Sequence, residues 1–94
     1  MHQAHDHPNW WVYIVECSDG TYYTGITYDI DQRIKKHNSG RGATYTRART
    51  PVQLIYSEQY SSHMEAARRE FEIKKLKRNE KQLLIKKHHL HEEI

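Results

Sequence analysis

Cysteine is almost absent: the 94-residue chain has one, Cys17, so an internal disulfide is impossible. A lone thiol agrees with a reducing compartment, and with no base spaced beside it Cys17 reads as a buried structural group rather than a nucleophile. Also missing is any run of about 18 apolar residues, and the polar start MHQAHDH is no secretory leader. The expected setting is therefore the cytoplasm, without membrane contact. There is no internal repeat, low-complexity tract or linker, and a chain this short buries surface enough for one small core. The expected division is a flexible N-terminal segment at residues 1–9, one domain at 10–87 and a C-terminal tail at 88–94.

A strong charge of one sign is lacking too, since 15 lysines and arginines face 12 acidic residues. That balance admits a polyanionic partner without requiring one. Six of the eight histidines gather at the ends: His2, His5, His7, His88, His89 and His91. They have neither the paired cysteines nor the fixed helical spacing of a structural zinc site.

What is present is local pattern. Residues 10–17 (WWVYIVEC) and 21–27 (TYYTGIT) are aromatic and β-branched, and Ser18-Asp19-Gly20 between them predicts a hairpin. A two-residue Asp-Gly loop would put Tyr13 and Tyr23 on opposite faces. A three-residue loop with Gly20 in the left-handed conformation sets Tyr13 opposite Gly25 and Tyr23 opposite Val15, and glycine in last place suits that longer loop. Asp29 with Gln32 resembles a capping box for a helix over residues 30–38, with Ile30 and Ile34 as its buried stripe. Arg33 and His37, also four apart, then act together at the edge of the core.

Residues 41–51 are irregular and basic, and 52–60 (VQLIYSEQY) read as a third strand, since apart from Ile55 the inward Leu54, Tyr56 and Tyr60 alternate with Gln53, Ser57 and Gln59. Ser62 and Glu65 form a second capping box for a helix over 63–76. On it Ala66 and Ile73 flank one side of an apolar arc, Ala67 and Phe71 the other, and Glu70 falls between. A further helix capped by Asn79 carries Leu83, Leu84 and Leu90, and the tail from His88 is expected to fray.

A carboxylate inside an apolar arc is costly unless it is paired or holds a cation, which makes Glu70 the first functional candidate. A salt bridge to Lys74 is the plain alternative. Two tyrosines on one strand face and an Arg33/His37 pair add donors, a possible proton acceptor and a fixed cation, the roles that phosphodiester cleavage needs. Taken singly, the tyrosines could be core aromatics, Arg33 a solvated residue and His37 a helix C-terminal residue. Lys35, Lys36, Arg41, Arg47 and Arg49 could solvate the surface, or form a phosphate-contacting edge with Tyr45 and Tyr28 available to stack on bases.

Trp11-Val12-Tyr13 resembles the first signature of the GIY-YIG nuclease family and Tyr23-Thr24-Gly25 the second. Arg33, His37 and Glu70 follow in the family's order, and the segment Gly42-Ala43-Thr44-Tyr45-Thr46-Arg47 is similar to that of the small stand-alone UPF0213 (YhbQ-like) group. Trp11 and Thr24 replace the eponymous glycine and isoleucine, and Ile26 stands where excision-repair relatives carry lysine. The resemblance implies an α/β (α+β) fold, a central three-stranded antiparallel sheet flanked by helices. It further implies one magnesium or manganese ion on Glu70, with Tyr13, Tyr23, Arg33 and His37 catalytic. The activity implied is a metal-dependent endonuclease acting on nucleic acid, with DNA the expected substrate and DNA repair or processing the expected setting. In the family's proposed mechanism Tyr23 or His37 helps to activate the nucleophile. A non-catalytic nucleic-acid-binding module on the same scaffold is the alternative. A monomer is expected, and a protein partner could add phosphate contacts to one short basic edge.

Overall fold

Two strands and a tight turn come first: β1 (Trp10–Glu16) and β2 (Tyr22–Thr27). The computed structural model describes residues 9–92, with side chains as far as His89. Residues 1–8, with His2, His5 and His7, lie outside the described residues, as do 93 and 94. Across the turn the Cys17 amide donates to the Thr21 carbonyl at 2.8 Å and the Gly20 amide to the Cys17 carbonyl at 2.9 Å, with Gly20 at φ +83°. That conformation favours glycine, and it closes the three-residue loop. Asp19 fastens it by accepting from the Thr21 amide at 3.1 Å and hydroxyl at 2.6 Å. The register sets Tyr13 opposite Gly25 and Val15 opposite Tyr23, as the longer loop predicts.

β3 (Gln53–Tyr60) pairs antiparallel with the other side of β1, giving the order β2-β1-β3. Among the described residues there are four helices besides: α1 (Ile30–Asn38), α2 (Thr44–Arg47), which packs on α1, α3 (His63–Lys74) and α4 (Arg78–Glu92). The fold is α+β, a single domain with a three-stranded antiparallel sheet between helices. None of the helices described is long and apolar enough to cross a membrane.

Alternation along β1 divides the core in two. Trp10, Val12 and Ile14 pack with Tyr56, with Ala66 and Ile73 of α3, and with Ile85 of α4. Tyr13, Val15 and Cys17 pack on the opposite face with Val52, Tyr23 and Ile34 of α1. The buried thiol of Cys17 is pushed up in pKa by burial.

Several elements differ from the sequence reading. A bulge lets Ile14 face Tyr56 and Val15 face Leu54, which leaves Ile55 as the extra residue. The strand's alternation breaks there, and Leu54, expected inside, is exposed. Phe71 is also outside, at 61 % exposure, with the Lys75 ammonium 4.2 Å over its ring. The apolar arc of α3 is thus narrower than predicted. On α4 the Lys77 amide donates to Glu80 Oε1 at 2.7 Å, so the helix is capped by Glu80 and not by Asn79. Ile85 anchors that helix while Leu83 faces solvent, and the helix continues through Glu92, past the tail placed at His88.

One polar cluster on the α3 face was not anticipated. Glu58 accepts hydrogen bonds from Tyr56, from Tyr60 at 2.6 Å and from Arg69 Nε at 2.9 Å, and Arg69 Nη1 reaches Glu72 at 3.1 Å. Burial pushes the Glu58 carboxyl up, but donors from Arg69, Tyr56 and Tyr60 outweigh it and hold the pKa below the usual value. The bridge fixes α3 to β3. Glu58→Ala is expected to lower unfolding stability by roughly 2–4 kcal/mol, somewhat less than a fully buried pair costs. Because the folded pKa is depressed, the ion pair's contribution is present above the unfolded carboxylate value of about 4.3 and fades as pH falls below it. Urea midpoints of parent and variant should converge over that acidic range.

Candidate active site

Position 25 decides where Tyr13 goes. A Cβ on Gly25 would stand 2.6 Å from the Tyr13 hydroxyl oxygen and 2.8 Å from the ring carbon that bears it. The glycine of the second signature is therefore a space requirement, and the Tyr13 ring lies across β2 because nothing projects there. Its hydroxyl meets His37 Nε2 at 2.8 Å. Arg33, one turn earlier on α1, donates from Nε to the same oxygen at 3.3 Å. Gly42 gives His37 similar room, since a Cβ there would lie 2.8 Å from the histidine Cα. The other ring nitrogen, Nδ1, meets Thr46 Oγ1 at 2.8 Å.

His37 was expected at the edge of the core. It is fully buried, as are Tyr13 and Thr46. Burial first, and the Arg33 charge second, pull its pKa down to about 4, so the ring is neutral at pH 7. Burial likewise pushes Tyr13 up to about 12, against the hydrogen bond and charge of Arg33, with Tyr23 and Glu70 adding to the rise. At pH 7 both members of this inner pair are uncharged.

Tyr23 is half-buried, edge-to-face with His37 at 5.4 Å and stacked on Tyr45 at 6.2 Å. Its hydroxyl has no hydrogen-bond partner among the described residues, nor do the terminal nitrogens of Arg33. Arg33 lines an open cleft of about 270 Å³ together with Lys36, Gln32 and Tyr28.

Glu70 comes from the other layer. Its side chain is 22 % exposed and pairs with Lys74 at 3.2 Å, the salt bridge the sequence left open. It bonds to none of the other four candidates, yet its charge is felt at Tyr13, because α3 packs across β1 and the edge strand β2. Among the described residues no three histidine, cysteine or acidic side chains converge as a metal cage. One half-buried carboxylate is instead a donor set for a hard, hydrated divalent ion.

Lys35, Lys36, Arg41, Tyr45 and Arg47 are exposed at the ends of α1 and α2. Arg49, expected with them, is engaged by the protein at the surface: it donates to Asp19 Oδ2 at 3.0 Å and to the Tyr45 carbonyl at 2.7 Å, and its guanidinium lies 4.0 Å over the Tyr45 ring. It ties α2 to the β1–β2 turn. Thr46 and Gly42 escaped sequence reasoning because a single turn of helix has no readable periodicity. Their segment was marked by its basic charge and by resemblance, and neither singled out these two residues.

The family model described as the GIY-YIG catalytic domain matches residues 9–83. A UPF0213 protein of Halobacterium salinarum is 56 % identical over 74 residues, which cover 79 % of this chain and 96 % of that protein. Another from Desulfotalea psychrophila is 52 % identical over 82 residues, covering 86 % and 74 %. Among solved structures, the solution structure of a UPF0213 protein of Bacillus halodurans is similar with a TM-score of 0.55, 51 % identity and 83 % of each chain covered. That of an E. faecalis protein gives 0.61, at 36 % identity and 92 % of each.

Gly25→Ala should displace Tyr13, break its bond to His37 and cost about 1–3 kcal/mol, the usual range for overpacking, read from urea unfolding. The His37 ring should titrate near pH 4 by NMR. Because that folded pKa lies below the unfolded value of about 6.5, the histidine's contribution is complete above 6.5 and declines as pH falls toward 4. A ring that titrates near 6.5 would refute the buried neutral state.

Proposed function

The chain belongs to the GIY-YIG family, in its UPF0213 group, and on that premise we propose that it is a metal-dependent endonuclease that hydrolyses phosphodiester bonds of DNA. The observation that carries this is Arg33, locked to Tyr13 through Nε while its terminal nitrogens have no protein partner among the described residues. Such a guanidinium is a ready fork for a phosphate. Arg33 stabilises the charge that develops on the phosphoryl oxygens.

Tyr23, edge-to-face with the His37 ring, presents a hydroxyl with no hydrogen-bond partner among the described residues, and it positions the attacking water. His37 does not share that task. Both its nitrogens are engaged, by Tyr13 and Thr46, and it is buried and neutral. It acts by holding Tyr13, which in turn holds Arg33. Glu70 would hold the magnesium or manganese ion on exchanging its Lys74 contact for it. When bound, the ion adds positive charge against the phosphate.

Lys35, Lys36, Arg41 and Arg47 contact flanking phosphates, and Tyr45, whose ring already stacks on Tyr23 and carries the Arg49 guanidinium, adds an exposed aromatic neighbour to that edge. Arg49 supports Tyr45 from across its ring. Cytoplasmic DNA repair or processing is the setting this activity suits, with a further protein supplying the contacts that four exposed cations lack.

Single-turnover incubation with plasmid or branched DNA and magnesium tests the proposal. Glu70→Ala and Arg33→Ala should each slow cleavage about 10²–10³-fold, the loss typical of one charge-stabilising group. Equal cleavage by parent and Glu70→Ala would sink it. Binding by a parent that never cleaves would favour the non-catalytic module.

A further inference from the structure

The buried hydrogen-bond series has a direction, and one end sets it. The Ala43 carbonyl can only accept, and Thr46 Oγ1 lies 3.0 Å from it, so the single hydroxyl proton of Thr46 points there. The same oxygen, 2.8 Å from His37 Nδ1, must then accept, which puts the ring proton on Nδ1. A neutral ring has one such proton. Nε2 is therefore bare and accepts from the Tyr13 hydroxyl at 2.8 Å. The Tyr13 oxygen keeps its lone pairs for Arg33 Nε, which only donates. Every proton from Ala43 to Arg33 is thereby placed.

We infer that Thr46 is a positioning residue of the phosphodiesterase site, selecting the Nδ1–H tautomer of His37 and through it aiming the Tyr13 hydroxyl proton inward and its lone pairs at Arg33. The role rests on the catalytic reading above. In the opposite tautomer His37 Nε2–H would donate to Tyr13, and the hydroxyl proton would turn out to meet Arg33 Nε–H. Two donors would then face each other, and Arg33 would leave its place. Thr46 thus acts on the arginine from three groups away, without touching substrate.

The test uses the full chain, ¹⁵N-labelled, with the parent, Thr46→Val and Thr46→Ser. Long-range ¹⁵N–¹H correlations of the His37 ring should show the proton on Nδ1 in the parent and in Thr46→Ser, and on Nε2 in Thr46→Val. Plasmid cleavage with magnesium should fall about 10–100-fold in Thr46→Val, the range in which outer partners of a functional histidine act, and return toward the parent's in Thr46→Ser. An Nε2–H ring in the parent overturns the inference even if Thr46→Val does not fold. So does a Thr46→Val protein that changes tautomer and still cleaves at the parent rate, or one that loses activity equally in Thr46→Ser. A parent that cleaves nothing removes the catalytic reading and the positioning role with it, while the ring spectrum still decides the tautomer, so the two failures are told apart.

Discussion

The position of one phenol organises this molecule. Tyr13 has to lie across β2 to reach His37, and that demand reaches outward in every direction. It requires glycine at position 25, a hairpin loop of three residues, a histidine one turn beyond Arg33 and a second glycine at 42 where the chain passes over the histidine. Such a ring brings much apolar area into the core, yet its hydroxyl must still be satisfied there. His37 satisfies it, and Thr46 satisfies His37. The chain of partners ends at a backbone carbonyl, so burial of three polar side chains leaves no orphan in the series.

Some of this was legible and some was not, for identifiable reasons. The loop could be read because glycine in the last of three places has one strong conformational use, and loop length fixes register by geometry alone. Glu70 stood out because helical spacing is rigid, although the arc around it proved narrower once Phe71 turned to solvent. The bulge at Ile55 showed only as the one residue out of step with the strand's alternation, a break that does not by itself say a residue is inserted. Thr46 was invisible because four residues of helix carry no period. The Glu58–Arg69 bridge joins a strand to a helix 11 residues later, and no one-dimensional pattern pairs a half-buried carboxylate with its cation.

The two faces of the sheet divide the labour. The α3 face is held by apolar contacts and by the Glu58–Arg69 bridge, which fixes the helix that carries Glu70. The α1 face buries neutral polar groups and carries its free cation at the margin. A carboxylate from one layer and a guanidinium from the other therefore approach the same strand without pairing with each other. Lys74 occupies the carboxylate and Tyr13 engages the arginine. Had the two met directly, each would neutralise the other.

That strand is β2, and among the described residues the sheet order leaves its outer flank without a neighbouring strand. A recess inside a barrel or beneath a lid admits a molecule by its end or not at all. A flank has no such restriction. On the proposed reading, a long polymer could be laid against it anywhere along its length, with both arms running on past the protein, and the position of attack would be set by where the chain lands and not by how far it is from a terminus.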